Sequence, residues 1–383
     1  MIAYLDNAAT TRPCDAAIGA TIKAMSEQYY NPSALYGPAI QVEKAIDSVR
    51  TSIRAALSAQ QGAHVLFTSG GTEANNLAIL GSTQAMHGAV HVVTSAAEHA
   101  SVRTCMDALK DQGHRITALP LHITGEIDWN ALEDCLRNDP PALISLMHVN
   151  NETGALLDVP RLSALARKLA PSALIHVDGV QGFMKIPIDM RLIDLYSLSA
   201  HKIHGAKGVG ALVVQKNIRL KSRQFGGSQQ SGMRPGTENA PGILALGAAI
   251  SHMQGLPNRA ADMLLLKRRF CEAVLCGVPG ASINGPNIES GAPHILNISF
   301  PGMRAEVMLH ALEGDGIFCS TGSACSSKKR SVSPILAAMG IPIDQAEGAL
   351  RFSFSPHTEA SEIDYAAECI AKQYALLRRF QRR

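Results

Sequence analysis

The sequence predicts an α/β protein in which a mostly parallel sheet is covered by helices on both faces, with a smaller α+β unit after it. Three observations predict this. Short apolar runs of strand length alternate with stretches of helical period from residue 64 to about residue 250. Small and polar clusters directly follow several of those runs, at the carboxyl ends where such sheets bind ligands. Past residue 250 the alternation stops, and a long helical segment precedes two further strand-like runs.

HVLFT (64–68) reads as a strand from its β-branched and aromatic content, and the Gly-Gly turn after it opens the helical stretch EANNLAILGSTQAMHG. AVHVVT leads into HASVRTCMDALKDQ, and ALISLMHV into PRLSALARKLA, in the same order of strand and helix. ALIHV, LIDLYSL and VGALVVQ complete the series. MLLLKRRFCEAVLCG then reads as a long helix, with HILNISF and LRFSF as strands of the smaller unit. YLDNAATT, too short to be a unit, is assigned to that unit or to the interface. The expected division is a large domain over 14–252 and a small domain built from 1–13 and 253–383.

The 383 residues, 46% hydrophobic and 17% charged, supply core enough for two domains and argue against disorder. A net charge of +3 is too small to make nucleic acid the main partner. No segment has the layout of a signal peptide and no run reaches the length of a membrane span, so a cytoplasmic location is expected. Eight cysteines are spread along the chain without a CxxC pair. In a reducing compartment most are expected as small buried hydrophobes, with at most one or two doing chemistry.

The polar groups at the strand ends form a pattern. Lys202 stands in SLSAHKIHGAKGVG, after LIDLYSL, and Asp178 ends the run IHVD. An amine at the mouth of a parallel sheet, with an aspartate closing a neighbouring strand, is what pyridoxal phosphate requires. The lysine forms a Schiff base with the aldehyde, and the aspartate keeps the pyridine nitrogen protonated. Either residue alone reads better as a surface lysine or a helix cap; their combination carries the weight. TSGGTEANN (68–76) offers the amides of Gly71 and Thr72 and the Thr72 hydroxyl at the positive end of a helix, which suits a phosphate. An ordinary N-capped glycine turn has the same form. His99 in SAAEHAS could stack on a cofactor ring, move protons, or serve structure alone. Asn151 in HVNNETG and Gln181, three residues past Asp178, can hydrogen-bond a ring oxygen. HKIH supplies only His201 and His204, too few ligands for zinc, and no metal site is expected.

YLDNAATT, NPSA, TSGGTEANN, EHAS, MHVNNETG, HVDGVQ, SAHK, RPGTEN and STGSACSS occur in the order found in cysteine desulfurases of the NifS/IscS type. From Tyr4 to about Phe354 the chain resembles that family, which lies within class V of the fold-type I pyridoxal-phosphate enzymes. The resemblance implies a seven-stranded, mostly parallel sheet in the large domain and release of sulfur from L-cysteine to leave L-alanine. It implies that Lys202 carries the Schiff base, His99 stacks on the ring, and Asp178 pairs with the pyridine nitrogen. Asn151 and Gln181 would contact the ring oxygen; Gly71, Thr72, Ser199 and His201 would hold the phosphate. Thr237 of RPGTEN would reach the phosphate of the other subunit in a homodimer. Arg351 would take the substrate carboxylate, with Asn151 beside it, a task suited to a bidentate guanidinium.

STGSACSS separates this family from aminotransferases. Cys325 lies among small and polar residues with hardly a bulky group to anchor it, so its loop is expected to be mobile and solvated. A thiol that collects sulfur at a buried cofactor and hands it on needs that mobility. Cys319, after Gly316, Ile317 and Phe318, is expected to be packed. In the implied reaction the Lys202 amine moves the α-proton, the Cys325 thiolate takes the substrate sulfur as a persulfide, and His99 carries the proton of the substrate thiol. Lys328, Lys329 and Arg330 either help ionise the thiol and greet an acidic acceptor or form an ordinary solvated run.

Some positions depart from the family pattern. Ala200 stands where glycine is usual, IHGAKG lacks the usual proline, and the stretch after Cys325 is basic. The sequence ends at Arg383, short of the tail with which housekeeping members dock an iron-sulfur scaffold, so the expected acceptor is either that scaffold or a tRNA-thiolation enzyme. The competing readings are a selenocysteine lyase, another class V aminotransferase, which has no need of Cys325, and a non-catalytic sulfur relay. Intact Lys202, Asp178 and His99 argue against the last.

Overall fold

The computed structural model describes residues 1–321 and 332–381. Its central sheet has seven strands, in the order His64–Thr68, Gly210–Val214, Leu195–Ser199, Leu174–Asp178, Leu143–Met147, His91–Ser95 and Arg115–Leu119. Gly210–Val214 runs antiparallel to both neighbours, and the other pairings are parallel. Every strand residue of His91–Ser95, Leu195–Ser199 and Gly210–Val214 is buried. That is why these strands read as continuous apolar runs: adjacent residues face opposite layers, and both layers are covered. Val93, Ile144, Ile175 and Val177 join the core under helices Gly37–Ala56, Val159–Leu169 and Ala240–Gln254. Val92 and Leu143 face the other way, onto Gly71–Ala85 and Ala100–Asp111.

The edge strand Arg115–Leu119 carries too little apolar signal to be read from the sequence. It pairs on one side only, and Arg115 and Ala118 are exposed. A half-solvated edge strand does not need the buried alternation that marks its neighbours.

A second core gathers Met263, Phe270 and Val274 of helix Arg259–Gly277, Ile298 of Ile295–Ser299, Leu350 and Phe352 of Ala349–Ser353, and Ile363 and Ile370 of helix Ala360–Gln381. Ala3 and Leu5 belong to this core, and Ala3–Tyr4 pairs in parallel with Ile317–Phe318. Each Leu or Ile so buried stabilises the fold by about 1.5–3 kcal/mol.

The amino-terminal segment ties the two cores together across the site. The Asn7 side chain donates to the Ser353 carbonyl at 3.0 Å on the small side, and the Gln181 amide donates to the Ala8 carbonyl at 2.8 Å on the sheet side. Thr11 clamps the lysine turn: its N–H and hydroxyl donate to the His201 carbonyl at 2.9 and 3.0 Å, and its hydroxyl accepts the His204 N–H at 2.7 Å. Ala200 is fully buried in that turn. A Cβ at residue 205 would meet the Ala200 Cβ at 2.8 Å, so Gly205 makes the room that alanine in place of glycine at 200 takes up.

Candidate active site

A cavity of about 510 Å³ opens at the carboxyl edge of the sheet. Gly71, Thr72, His99, Asn151, Asp178, Gln181, Ser199, His201, Lys202 and Arg351 all line it. The structure thus brings together ten residues singled out from separate parts of the sequence. Thr237 is exposed and does not line the cavity of its own chain. Cys325, with Lys328, Lys329 and Arg330, lies outside the described residues.

Helix Gly71–Ala85 begins at one wall with no side chain capping its first turn. Its amino-terminal N–H groups therefore keep their capacity for an anion. A Cβ on Gly71 would come within 2.5 Å of Val180 Cγ2, so only glycine lets the helix start this close to the strand-end loop. Thr72, Ser199 and His201 add side-chain donors beside it. Burial pushes His201 down to about 4, with Lys202, Lys207 and Lys185 adding to the shift, so the imidazole is a neutral donor at physiological pH. His201 Nδ1 lies 3.2 Å from the Thr10 hydroxyl.

Asp178 is buried at the cavity, beside the same helix. Burial pushes its carboxyl up; the Val180 N–H at 3.1 Å, nearby His99, the Asn75 amide at 2.7 Å and nearby Lys202 pull it back. Asn75 is the residue that sequence reasoning missed here. It follows Gly71 by one helical turn and so shares its face, a spacing visible in TSGGTEANN. Lys202 Nζ donates to the Ala8 and Ala9 carbonyls at 2.6 and 2.7 Å, which holds the amine over the amino-terminal segment. The buried Asn151 Oδ1, Gln181 Oε1 and Arg351 Nε have no protein partner, so three polar atoms of this site are left for a ligand.

Arg351 is 5% exposed. Its Nη2 donates to Asp6 Oδ1 at 2.7 Å and its Nη1 to the Asn151 carbonyl at 2.9 Å. Asp6 was not foreseen either, because YLDNAATT reads as a structural join. Holding one edge of the guanidinium fixes its plane and leaves Nε unpartnered. Asp6→Asn is expected to raise KM for an amino-acid substrate about 5- to 20-fold while changing kcat less, the pattern of a loosened ground-state contact. Steady-state kinetics with varied substrate checks this; equal falls in kcat and kcat/KM would place Asp6 elsewhere in the reaction.

Two more buried carboxyls border the cavity. Burial pushes Glu98 up to about 8 and Glu152 up to about 7. Glu98 Oε1 accepts from the Ser95 hydroxyl at 2.6 Å and the Met147 N–H at 3.1 Å, and Oε2 has no partner. Between its ordinary 4.5 and about 8, Glu98 keeps its proton in the folded chain and loses it in the unfolded one. Stability attributable to this group therefore falls as pH rises through that window, by a few kcal/mol on the order of the shift. Glu98→Gln is expected to flatten this decline, seen as a smaller drop in Tm between roughly pH 5 and 8 than in the parent. An unchanged drop would mean that Glu98 ionises normally.

The model of the aminotransferase class-V family matches residues 3–366. The chain belongs to the class-V aminotransferase family. It is 38% identical over 365 residues to a cysteine desulfurase of Sinorhizobium fredii (strain NBRC 101917 / NGR234), covering 94% of this chain and 93% of that one. Among solved structures, a NifS-like protein superposes with a TM-score of 0.91 at 30% identity, over 98% of this chain and all of the other. SspA in complex with cysteine superposes with a TM-score of 0.81 at 28% identity, over 93% of this chain and 100% of that one. The fold is that of the fold-type I pyridoxal-phosphate enzymes, and the family's cofactor is pyridoxal phosphate. The residues present fit it: an uncapped helix start with Ser199 and His201 for a phosphate, a buried acid for a pyridine nitrogen, and an amine in the same cavity.

Proposed function

We infer that this chain is a pyridoxal-phosphate-dependent cysteine desulfurase, which converts L-cysteine to L-alanine and releases its sulfur to an acceptor. The observation that carries this is the convergence of Lys202, Asp178, His99 and Arg351 on one cavity in a chain 38% identical to a cysteine desulfurase along nearly its whole length. Pyridoxal phosphate, when bound, withdraws electrons from the substrate's α-carbon and so makes its proton acidic and its sulfur labile. In this reading Gly71, Thr72, Ser199 and His201 hold the phosphate, Asp178 faces the pyridine nitrogen, His99 covers the ring, and Asn151 and Gln181 meet the ring oxygen. Arg351 binds the substrate carboxylate and the Lys202 amine moves the α-proton.

Cys325 is the proposed sulfur acceptor. Its thiolate attacks the substrate sulfur, the carbon–sulfur bond breaks with its electrons returning to the substrate carbon, and a persulfide is left on the enzyme. Two described neighbours support the placement. Ser320 forms a backbone bridge with Arg351, and the Ser333 hydroxyl donates to Glu152 at 2.5 Å. The chain thus enters and leaves the segment 322–331 beside the cavity. Cys319 is a poor alternative, because burial pushes its thiol up to about 12 and thiols react as thiolates. Loading the purified protein with pyridoxal phosphate and adding L-cysteine with a reducing thiol tests the function. Alanine and sulfide in equal amounts are expected; amino transfer without sulfur release would overturn it.

The same reading makes the enzyme a homodimer, with Thr237 of each chain at the phosphate of the other. In support, Ile18, Ile22 and Met25 expose one face of helix Asp15–Ser26, and Tyr29, Leu35, Tyr36 and Phe225 are exposed as well. Light scattering is expected to give twice the 40.7 kDa of one chain, and a fully active monomer would exclude the shared site. The proposed large domain spans 14–252 and the small one 1–13 with 253–383, in keeping with the two cores. A cytoplasmic location belongs to this reading; the described cysteines are free thiols, and no helix among the described residues is long and apolar enough to cross a membrane. The acceptor is an iron-sulfur scaffold or a tRNA-thiolation protein.

A further inference from the structure

The buried residues behind His99 decide which of its ring nitrogens carries the proton. His99 is the N-cap of helix Ala100–Asp111, and its Nδ1 accepts the Ser101 backbone N–H at 3.1 Å. A backbone N–H can only donate, so Nδ1 is a bare acceptor and the neutral ring holds its hydrogen on Nε2. The Ser101 hydroxyl lies 2.9 Å from the same Nδ1. Its position is held one step further back. The Asn75 amide nitrogen donates to Ser101 Oγ at 2.9 Å and to Asp178 Oδ2 at 2.7 Å, which uses both of its hydrogens. Because Nδ1 is an acceptor, the Ser101 hydroxyl is the donor of this pair, while its oxygen accepts from Asn75 and is held in place by it. Asn75 and Ser101 are 1% and 6% exposed, so water competes little for these bonds.

We propose that Ser101, oriented by Asn75, is a positioning residue that fixes His99 as the neutral Nε2–H tautomer, so that the ring meets the ligand as a hydrogen-bond donor. A proton arriving at Nδ1 would face two donors, the Ser101 N–H and hydroxyl. Of the charged groups around the ring, Asp178 favours the imidazolium, whereas Lys202 and Arg103 oppose it, and burial opposes it most. The catalytic consequence rests on the desulfurase reading: the first proton taken from the substrate goes to the Lys202 amine, and His99 becomes a base only after this network opens.

The tautomer itself can be read without any substrate. In full-length protein labelled with ¹⁵N at histidine, two-bond ¹H–¹⁵N correlations report each ring nitrogen, and loss of one signal set in His99→Gln assigns the residue. Without cofactor, the neutral ring is expected to show Nδ1 unprotonated and Nε2 protonated. Ser101→Ala, which removes the hydroxyl but keeps the backbone N–H, is expected to mix the tautomers and raise the His99 titration midpoint by about one unit. The same readings on the cofactor-loaded enzyme are expected to shift in the same sense. A protonated Nδ1 in the parent protein would overturn the proposal whatever the variant does, and an unchanged pattern in Ser101→Ala would remove Ser101 from it. Either result leaves the alanine and sulfide assay untouched, so the two readings fail separately.

Discussion

Lys202→Ala is expected to yield a colourless protein in which turnover of L-cysteine is lost, by more than about 10⁴-fold, on the scale seen when a covalent catalytic group is removed. The reason is positional. The turn Ala200–Lys202 follows the strand that ends at Ser199, and Thr11 pins both sides of it, so the amine emerges at one place on the sheet edge. From there it reaches the Ala8 and Ala9 carbonyls and shares a cavity with Asp178. Lys185, a buried lysine of this region, does not line that cavity, so it is no substitute for Lys202. Absorbance after reconstitution with pyridoxal phosphate, followed by an alanine assay, checks both parts. The fold should survive, because the Ala8 and Ala9 carbonyls that the amine meets lie at the cavity edge, where water can satisfy them. Turnover near the parent rate in Lys202→Ala would remove this lysine from the reaction.

The difference between what the sequence disclosed and what it hid follows from how each residue does its work. Lys202, Asp178, His99 and Asn151 sit at strand ends or just beyond them, and their placement follows from local pattern alone: an apolar run, a break, a polar group. Asp6 and Asn75 act through partners far away in the chain, and Ser101, two residues past His99, is joined to Asn75 across 26 positions. Asp6 meets Arg351 across 345 positions, and Asn75 meets Asp178 across 103. No spacing rule connects such pairs before the sheet order is known. The strand Arg115–Leu119 was hidden for another reason, since its edge position relaxes the demand for apolar residues. Arg351 was legible only through the family resemblance. Within LRFSF a buried arginine has no local cause, and its ion pair with Asp6 and its place in the cavity appear only when the two cores close on each other.

Cys325→Ser is expected to separate sulfur transfer from the rest of the chemistry. The cofactor residues are untouched by it, so the variant should bind pyridoxal phosphate and change its spectrum on adding L-cysteine. Alanine formation and persulfide labelling should fall by more than about 10³-fold, because a serine hydroxyl is neither ionised near neutral pH nor a comparable nucleophile towards sulfur. Cys319→Ser is the matched control. Its thiol is pushed up to about 12 by burial, hence protonated, and it packs against the small core, so removing it should leave most of the activity. Cys105 and Cys271 are likewise buried with thiols pushed up to about 11, which keeps them out of the reaction. Alkylation followed by peptide mapping, on enzyme first exposed to L-cysteine, should find the extra sulfur at residue 325 alone. If Cys325→Ser made alanine at the parent rate, sulfur would be leaving without a covalent protein carrier, and the chain would be a lyase that releases sulfide directly.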